Sequence, residues 1–491
     1  MTRDHVIGID QGTSGTRAVM LDGKGRMLGQ TARALPVSHP APGLVEQDAE
    51  AMVANVLDCA RELLDITTVP ASAVAGFGID NHTESLVLWE RDTGRPVHPV
   101  IVWQCRRSTG VTAEIDTPDN RRFIRDRTGL DLDPTFTATK LRWIMRYEPE
   151  IARALARGEV LWGTVDSWLL WRLSDGALHA TDYSNASRTM LFNIGSLAWD
   201  SDLVALFDLD PGTMPRVIPS GGMIATCATR HFGAQIPLTA VLGDQQASLF
   251  GHGCLHEGAV KSTYGTGAFV WMNGGHERRT SAMAGGLETI AWHLDQPTYA
   301  LEGFVMYAGA ILDWLVNRLR LCGDASEVID RAQGADTRSG VILVPAFQGL
   351  ASPWWNPHAR AAVMGLDASS DDSDVCLAAL EAICFQVKHV LDDMKTDGAV
   401  RVDGGLVRSD HFLQLQADIL ARPVIRSAHP ELTAYGIARM AGVGAGLWAG
   451  DTTESTEDDT HFEPRETMRS NLDERYQAWC RAVELCLEVR K

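Results

Sequence analysis

The chain lacks any C-x-x-C pair and any cysteine–histidine cluster at zinc spacing, although it holds nine cysteines among 491 residues. An odd count at wide spacing argues against a disulfide framework or a zinc module as the organising device. The thiols are therefore expected to be reduced. Positive charge is also scarce: 44 Lys and Arg stand against 63 Asp and Glu, a net charge of −19. So acidic a balance argues against coating nucleic acid or an anionic membrane. No apolar run reaches bilayer length; the longest weakly polar stretch, 438–450, is short and rich in glycine. There is no apolar signal segment at the N-terminus, no low-complexity tract and no short repeat. The expectation is a cytoplasmic protein whose partners include neither nucleic acid nor a membrane. What is present suffices for packed cores, since 45% of residues are apolar. Their number exceeds what one core organises, so two domains are expected, 1–243 and 244–491.

Val6 to Ile9 reads as a buried strand, Asp10 ends it, Gly12-Thr13-Ser14-Gly15 makes a tight turn, and Thr16 to Leu21 reads as the return strand. Two glycines free to take positive φ suit such a turn. Its tip offers backbone N–H groups and hydroxyls to phosphate oxygens, and the Asp10 carboxylate suits a hydrated Mg²⁺. Ser262-Thr-Tyr-Gly-Thr-Gly-Ala-Phe269 repeats that chemistry. Either loop alone is equally an ordinary β-turn. Two of them, about 250 residues apart, suggest a duplicated fold gripping one nucleotide between its halves. Strands are expected at 75–80, 85–89, 100–103 and 399–402, and a strand–turn–strand unit at 258–273. Helices are expected at 49–65, 138–145, 151–157, 165–173, 305–321, 375–394, 433–448 and 471–489. The segment 451–463 reads as an acidic loop. Mixed strands and helices indicate layered α/β domains.

Asp244 follows the apolar run 239–242 and leads into a helix. At the carboxyl end of a strand it can accept a proton from a substrate hydroxyl; as a helix N-cap it would be merely structural. Glu84 and Trp103 could hold a polyol, a carboxylate on hydroxyls over an aromatic floor, or could be a surface turn and a core tryptophan. Asp403-Gly404-Gly405 could pass beneath an adenosine or be a plain turn.

Seven motifs in order carry a resemblance that runs nearly end to end. They are Asp10-Gln-Gly-Thr-Ser-Gly-Thr-Arg17, Ile101-Val-Trp-Gln104, Asn185-Ala-Ser-Arg-Thr-Met-Leu-Phe-Asn193, Gly243-Asp-Gln-Gln-Ala247, Thr263-Tyr-Gly-Thr-Gly267, Leu301-Glu-Gly303 and Val402-Asp-Gly-Gly405. The chain resembles the FGGY-type carbohydrate kinases, and within them most closely the glycerol kinase branch. The resemblance implies two actin-like domains of the ribonuclease H type flanking a deep cleft, with ATP and Mg²⁺. It further implies Thr13, Ser14 and Arg17 at the phosphates, Asp10 holding Mg²⁺ through water, and Asp244 as general base beside the metal. Thr266, Gly267, Gly309 and Gly405 would line the ATP site, and Gln245 and Phe269 would join Glu84 and Trp103 around the acceptor. A homodimer or homotetramer is compatible with it. Thr83 and Thr135 stand where that branch carries Arg and Tyr, and His82 where it carries Gln. Each lost polar contact would cost a glycerol complex about 1–3 kcal/mol. A four- or five-carbon polyol or a ketose is therefore the expected acceptor, with glycerol the alternative. Asp313 and Ser409 replace Gln and Asn at positions bearing on adenine. Readings of another class are an actin- or chaperone-like ATPase and a non-catalytic sugar sensor.

Overall fold

The computed structural model describes residues 3–279, 285–335, 339–429, 431–450 and 459–488. The first sheet takes β1 (His5–Gln11), β2 (Gly15–Leu21), β3 (Met27–Ala34), β4 (Val74–Asn81), β5 (Gly221–Cys227) and β6 (Ile236–Gly243), in the order β5-β6-β4-β1-β2-β3. The second takes β7 (Val260–Tyr264), β8 (Ala268–Gly275), β9 (Leu287–His293), β10 (Pro297–Val305), β11 (Val400–Gly404), β12 (Val424–Arg426) and β13 (Thr460–Phe462), in the order β9-β10-β8-β7-β11-β12-β13. Both contain the same five-strand unit. From β3 through β2 and β1 the pairings are antiparallel, and from β1 through β4 to β6 they are parallel. From β10 through β8 and β7 to β11 and β12 the same pattern recurs. The fold is thus a duplicated α/β unit of the actin-like type, and each copy begins with one of the hairpins read from sequence.

The helices are α1 (Ala49–Thr67), α2 (Asp244–Gly251), α3 (Gly309–Trp314), α4 (Asp372–Met394), α5 (Asp410–Leu420), α6 (Leu432–Gly444) and α7 (Arg469–Glu488), with shorter ones between. Asp48 caps α1 by accepting from the Glu50 and Ala51 amides, and Met52, Val56, Ala60 and Leu63 form its buried face. A reciprocal capping box at Asp371 and Asp374 starts α4, which buries Leu377, Leu380, Cys384, Val387, Leu391 and Met394. Helix α6 leaves the second half of the chain to pack on β1, β4 and β6 and against α2. Small residues allow this: a Cβ at Gly436 would lie 2.0 Å from the Ala247 carbonyl oxygen, so only glycine fits between the helices.

Several expected boundaries move. The helix expected at 305–321 begins only at 309, because 297–305 is β10 and pairs with β8. The strand expected at 100–103 shortens to Val100–Ile101. Helix α6 ends at 444, where the chain folds Trp448 back against Gly442. In the expected loop 451–463, residues 451–458 lie outside the described ones, and Thr460–Phe462 is the edge strand β13. Residue 489 of the closing helix also lies outside them. Among the described residues no helix is long and apolar enough to cross a membrane.

Candidate active site

The first hairpin closes with Asp10 opposite Arg17 and Gln11 opposite Thr16, whose hydroxyl donates to Gln11 Oε1 at 2.6 Å. Neither Gly12 nor Gly15 adopts positive φ, contrary to expectation. Gly15 is needed for close approach instead: a Cβ there would lie 2.5 Å from the Arg33 carbonyl oxygen. The second hairpin follows the same rule, with a Cβ at Gly267 falling 2.5 Å from the Val305 carbonyl oxygen. Ser14 projects into solvent, while Thr13 accepts from the Trp103 indole at 3.0 Å and, through its carbonyl, from Gln47 at 2.5 Å.

Carboxylates converge beside this hairpin. Asp10 is buried, and Arg17 Nη1 lies 3.7 Å from it while Arg17 Nε pairs with Glu431 at 3.0 Å. Burial raises the Asp10 pKa to about 6 against the opposing pull of Arg17. In the parallel register Asp10 stands beside Asp80, which is fully buried and receives no hydrogen bond on either carboxylate oxygen. Burial first, then Asp10 and Asp244, push Asp80 well above the ordinary range. Asp244 opens α2 at the end of β6. Its pKa rises to about 7 through burial, with Glu84 and Asp10 adding to the shift. Gly243 is the N-cap, and Asp244 Oδ1 accepts from the adjacent Gln245 amide at 2.7 Å, so the capping alternative does not hold. Among the described residues no three His, Cys, Asp or Glu side chains are grouped to hold a metal unaided. Closely set carboxylates short of cationic partners nonetheless fit Mg²⁺, which keeps waters and takes one or two carboxylates plus substrate phosphates.

Glu84 is buried with φ of 66°, a left-handed backbone that a non-glycine residue adopts only under constraint. Its carboxylate accepts from Arg188 Nε at 2.7 Å, and Arg188 Nη1 lies 2.8 Å from Glu302 on β10. This rules out a surface turn. Trp103 is half-buried, and its backbone amide donates to Ser85 Oγ, which also contacts His82 Nδ1 at 2.8 Å. The Thr83 side chain abuts Gly243, next to Asp244. Thr135 turns away: its hydroxyl donates to Asp133 at 2.5 Å and accepts from Arg106 at 3.4 Å. Gln245 Oε1 accepts from Lys261 Nζ at 2.8 Å. Phe269 lies opposite Thr263 on β8 and packs on Phe304, ring centroids 4.8 Å apart.

The second hairpin gathers the remaining glycines. The Gly309 amide donates to Gly265 at 3.0 Å, the Ala308 amide to Thr266 at 2.9 Å, and the Gly405 amide to Tyr264 at 2.8 Å. Beside the start of α3 lies a pocket of about 540 Å³ lined by Tyr307, Ala310, Asp313, Trp314, Asn317, Arg318, Phe347 and Gln348. Asp313 therefore faces a cavity with aromatic walls. Ser409 instead caps α5, accepting from the Phe412 amide at 3.2 Å.

Three buried charges at the site went unnominated from sequence: Asp80, Arg188 and Lys261. A local signal existed for each, a charged residue inside an apolar strand or a recognised motif, but Asp80 meets Asp10 and Arg188 meets Glu84 and Glu302 across distant segments, and Lys261 meets Gln245 from the strand that follows its helix.

Comparison with known proteins gives a consistent result. Residues 5–251 match the FGGY family of carbohydrate kinases, N-terminal domain, and residues 260–445 its C-terminal domain. A glycerol kinase from Aromatoleum aromaticum is 43% identical over 98% of each chain. One from Dechloromonas aromatica is 42% identical over 98% of this chain and 97% of its own. The crystal structure of Plasmodium falciparum glycerol kinase with ADP superposes with a TM-score of 0.90 at 28% identity, covering 100% of this chain and 99% of the other. A ligand-bound xylulose kinase from Lactobacillus acidophilus shares the fold, with a TM-score of 0.87 at 18% identity over 99% and 98% of the two chains.

Proposed function

Since the chain belongs to the FGGY family of carbohydrate kinases, we propose that this ATP-dependent kinase phosphorylates a primary hydroxyl of glycerol. The relatives named glycerol kinase, alike over the whole chain, favour glycerol over the larger acceptor expected from Thr83 and Thr135. The observation that carries the mechanism is Asp244 at the end of β6, where Glu84 and Asp10 both add to the rise that burial gives its pKa. In this reading Asp244 takes the proton of the attacking hydroxyl. Arg17 and the amides of both hairpins hold the transferring oxygens, and Glu84 and Trp103 orient the acceptor. Asp10 and Asp244 would hold Mg²⁺, which would supply neutralising charge for the phosphates. Residues 1–243 carry the acceptor and the first hairpin, and 244–491 the nucleotide, with α2 touching both sheets and α6 lying on the first. The Tyr307–Phe347 pocket suits the base.

One observation favours a second reading. Thr135 spends its hydroxyl on Asp133 and Thr83 lies against Gly243, so neither reaches out as an Arg or Tyr would. A tetritol, pentitol or ketopentose would then be preferred. Measuring kcat/KM over glycerol, tetritols, pentitols and ketopentoses, with stoichiometric phosphorylated product, separates the two readings. ATP hydrolysis indifferent to every acceptor would refute both. With the best acceptor, Asp244→Asn is expected to lower kcat about 10²–10⁴-fold while ATP still binds.

A further inference from the structure

Lys261 sits on β7 with no exposed surface, an unusual place for an ammonium group. Its Nζ donates to Gln245 Oε1 at 2.8 Å and to Thr263 Oγ1 at 2.8 Å. Burial works against its charge, and Asp403 and Asp244 are the foremost groups supporting it. Asp403 is itself held by His252 at 3.1 Å and Ser248 at 3.2 Å, so the ammonium closes a network joining β7, β11 and α2.

An ammonium has three donors and no acceptor. The Gln245 amide must therefore turn its oxygen to Lys261 and its NH₂ elsewhere. Among the described residues that NH₂ hydrogen-bonds nothing, and Gln245 is half-buried next to Asp244. Resting on the reading of Gln245 as an acceptor contact, we propose that Lys261 is a positioning residue that presents Gln245 as a hydrogen-bond donor to a hydroxyl oxygen of the acceptor. A hydroxyl that accepts from Gln245 keeps its own O–H free to donate to a carboxylate. Lys261 thereby fixes the direction of the hydrogen bonds around the acceptor, and through Thr263 it ties this direction to the strand that enters the second hairpin.

Steady-state kinetics of the full chain test this, with the best acceptor of the panel and ATP each varied at saturation of the other. Lys261→Met is expected to raise the acceptor KM roughly tenfold or more and to leave the ATP KM within about twofold. Gln245→Leu and Gln245→Glu should raise the acceptor KM comparably, since neither can donate, although the carboxylate still accepts from Lys261. In the Gln245→Leu background, Lys261→Met should add nothing. A residue that merely supports the sheet would shift both KM values and would add its full effect in that background, which would overturn the proposal. Gln245→Leu with a raised acceptor KM beside Lys261→Met with an unchanged one removes the positioning role alone. An unchanged Gln245→Leu removes the reading of Gln245 and the proposal with it. Gln245→Glu at the wild-type KM refutes the donor assignment. Lys261→Leu, shorter and differently shaped, enters the same cycle if the methionine protein does not fold.

Discussion

His82 is a titratable ring held where charge is disfavoured. Burial lowers its pKa to about 4, and only Nδ1 finds a partner, the Ser85 hydroxyl. In the unfolded chain the ring titrates near 6.5, so falling pH protonates the unfolded state first. Its stabilising contribution is complete above about pH 6.5 and is lost as pH falls toward 4, by roughly 3 kcal/mol. His82→Gln should flatten the fall in urea-unfolding stability across that window; an unchanged slope would exclude His82 as its source. At this scale the candidate site was legible in the sequence where its residues are neighbours along the chain. Asp10 with Thr13 and Arg17, and Asp244 with Gln245, are recognisable as strings. It marked Asp80 only as a charge within an apolar strand, because what makes Asp80 unusual is its register beside Asp10 across two strands.

Helix α6 lies on bare backbone. A Cβ at Gly78 would lie 2.6 Å from the Ile437 carbonyl oxygen, and one at Gly8 would lie 2.4 Å from that of Ala434. Side chains there would lift the helix from β1 and β4. Gly78→Val is expected to cost about 3 kcal/mol or more in denaturant unfolding. Gly110→Ala, a helical site with nothing within 4 Å, should instead be neutral or slightly stabilising. Equal midpoints for the two variants would contradict this account of the packing. The small-residue run at 433–448 made the helix legible in sequence, though not the sheet it packs against. The segment 305–321 misled because its apolar residues suit either period. Val305 belongs to a strand only because Ala268 pairs with it.

Across the whole molecule, Arg188 joins Glu84 to Glu302 on the second sheet. Glu84, Arg188 and Glu302 are all buried, and the two carboxylates raise the affinity of the guanidinium for its proton. Arg188→Met would remove the cation that joins the two buried carboxylates, leaving Glu84 only the charge of Lys140 and Glu302 only that of Lys261, and should cost about 3–5 kcal/mol of stability. Equilibrium unfolding measures it, and a loss below about 1 kcal/mol would show that solvent reaches the pair. Residues from both sheets and from α6 form one apolar cluster, Val6, Val19 and Ala240 of the first sheet with Trp271 and Ala300 of the second and Ala438 of the helix. The rise of Asp244 to about 7 is likewise tertiary, since burial causes most of it and Glu84 and Asp10 add to it from separate segments.

The sequence by itself determined the duplicated hairpins, the mixed α/β class, the family and the catalytic candidates, because each is written in residues close along the chain. Tertiary structure decided which charges lack partners, which glycines are needed for contact and which way Gln245 faces. Those depend on register and burial, which bring together side chains from separate strands and helices and withdraw the water that would otherwise screen them.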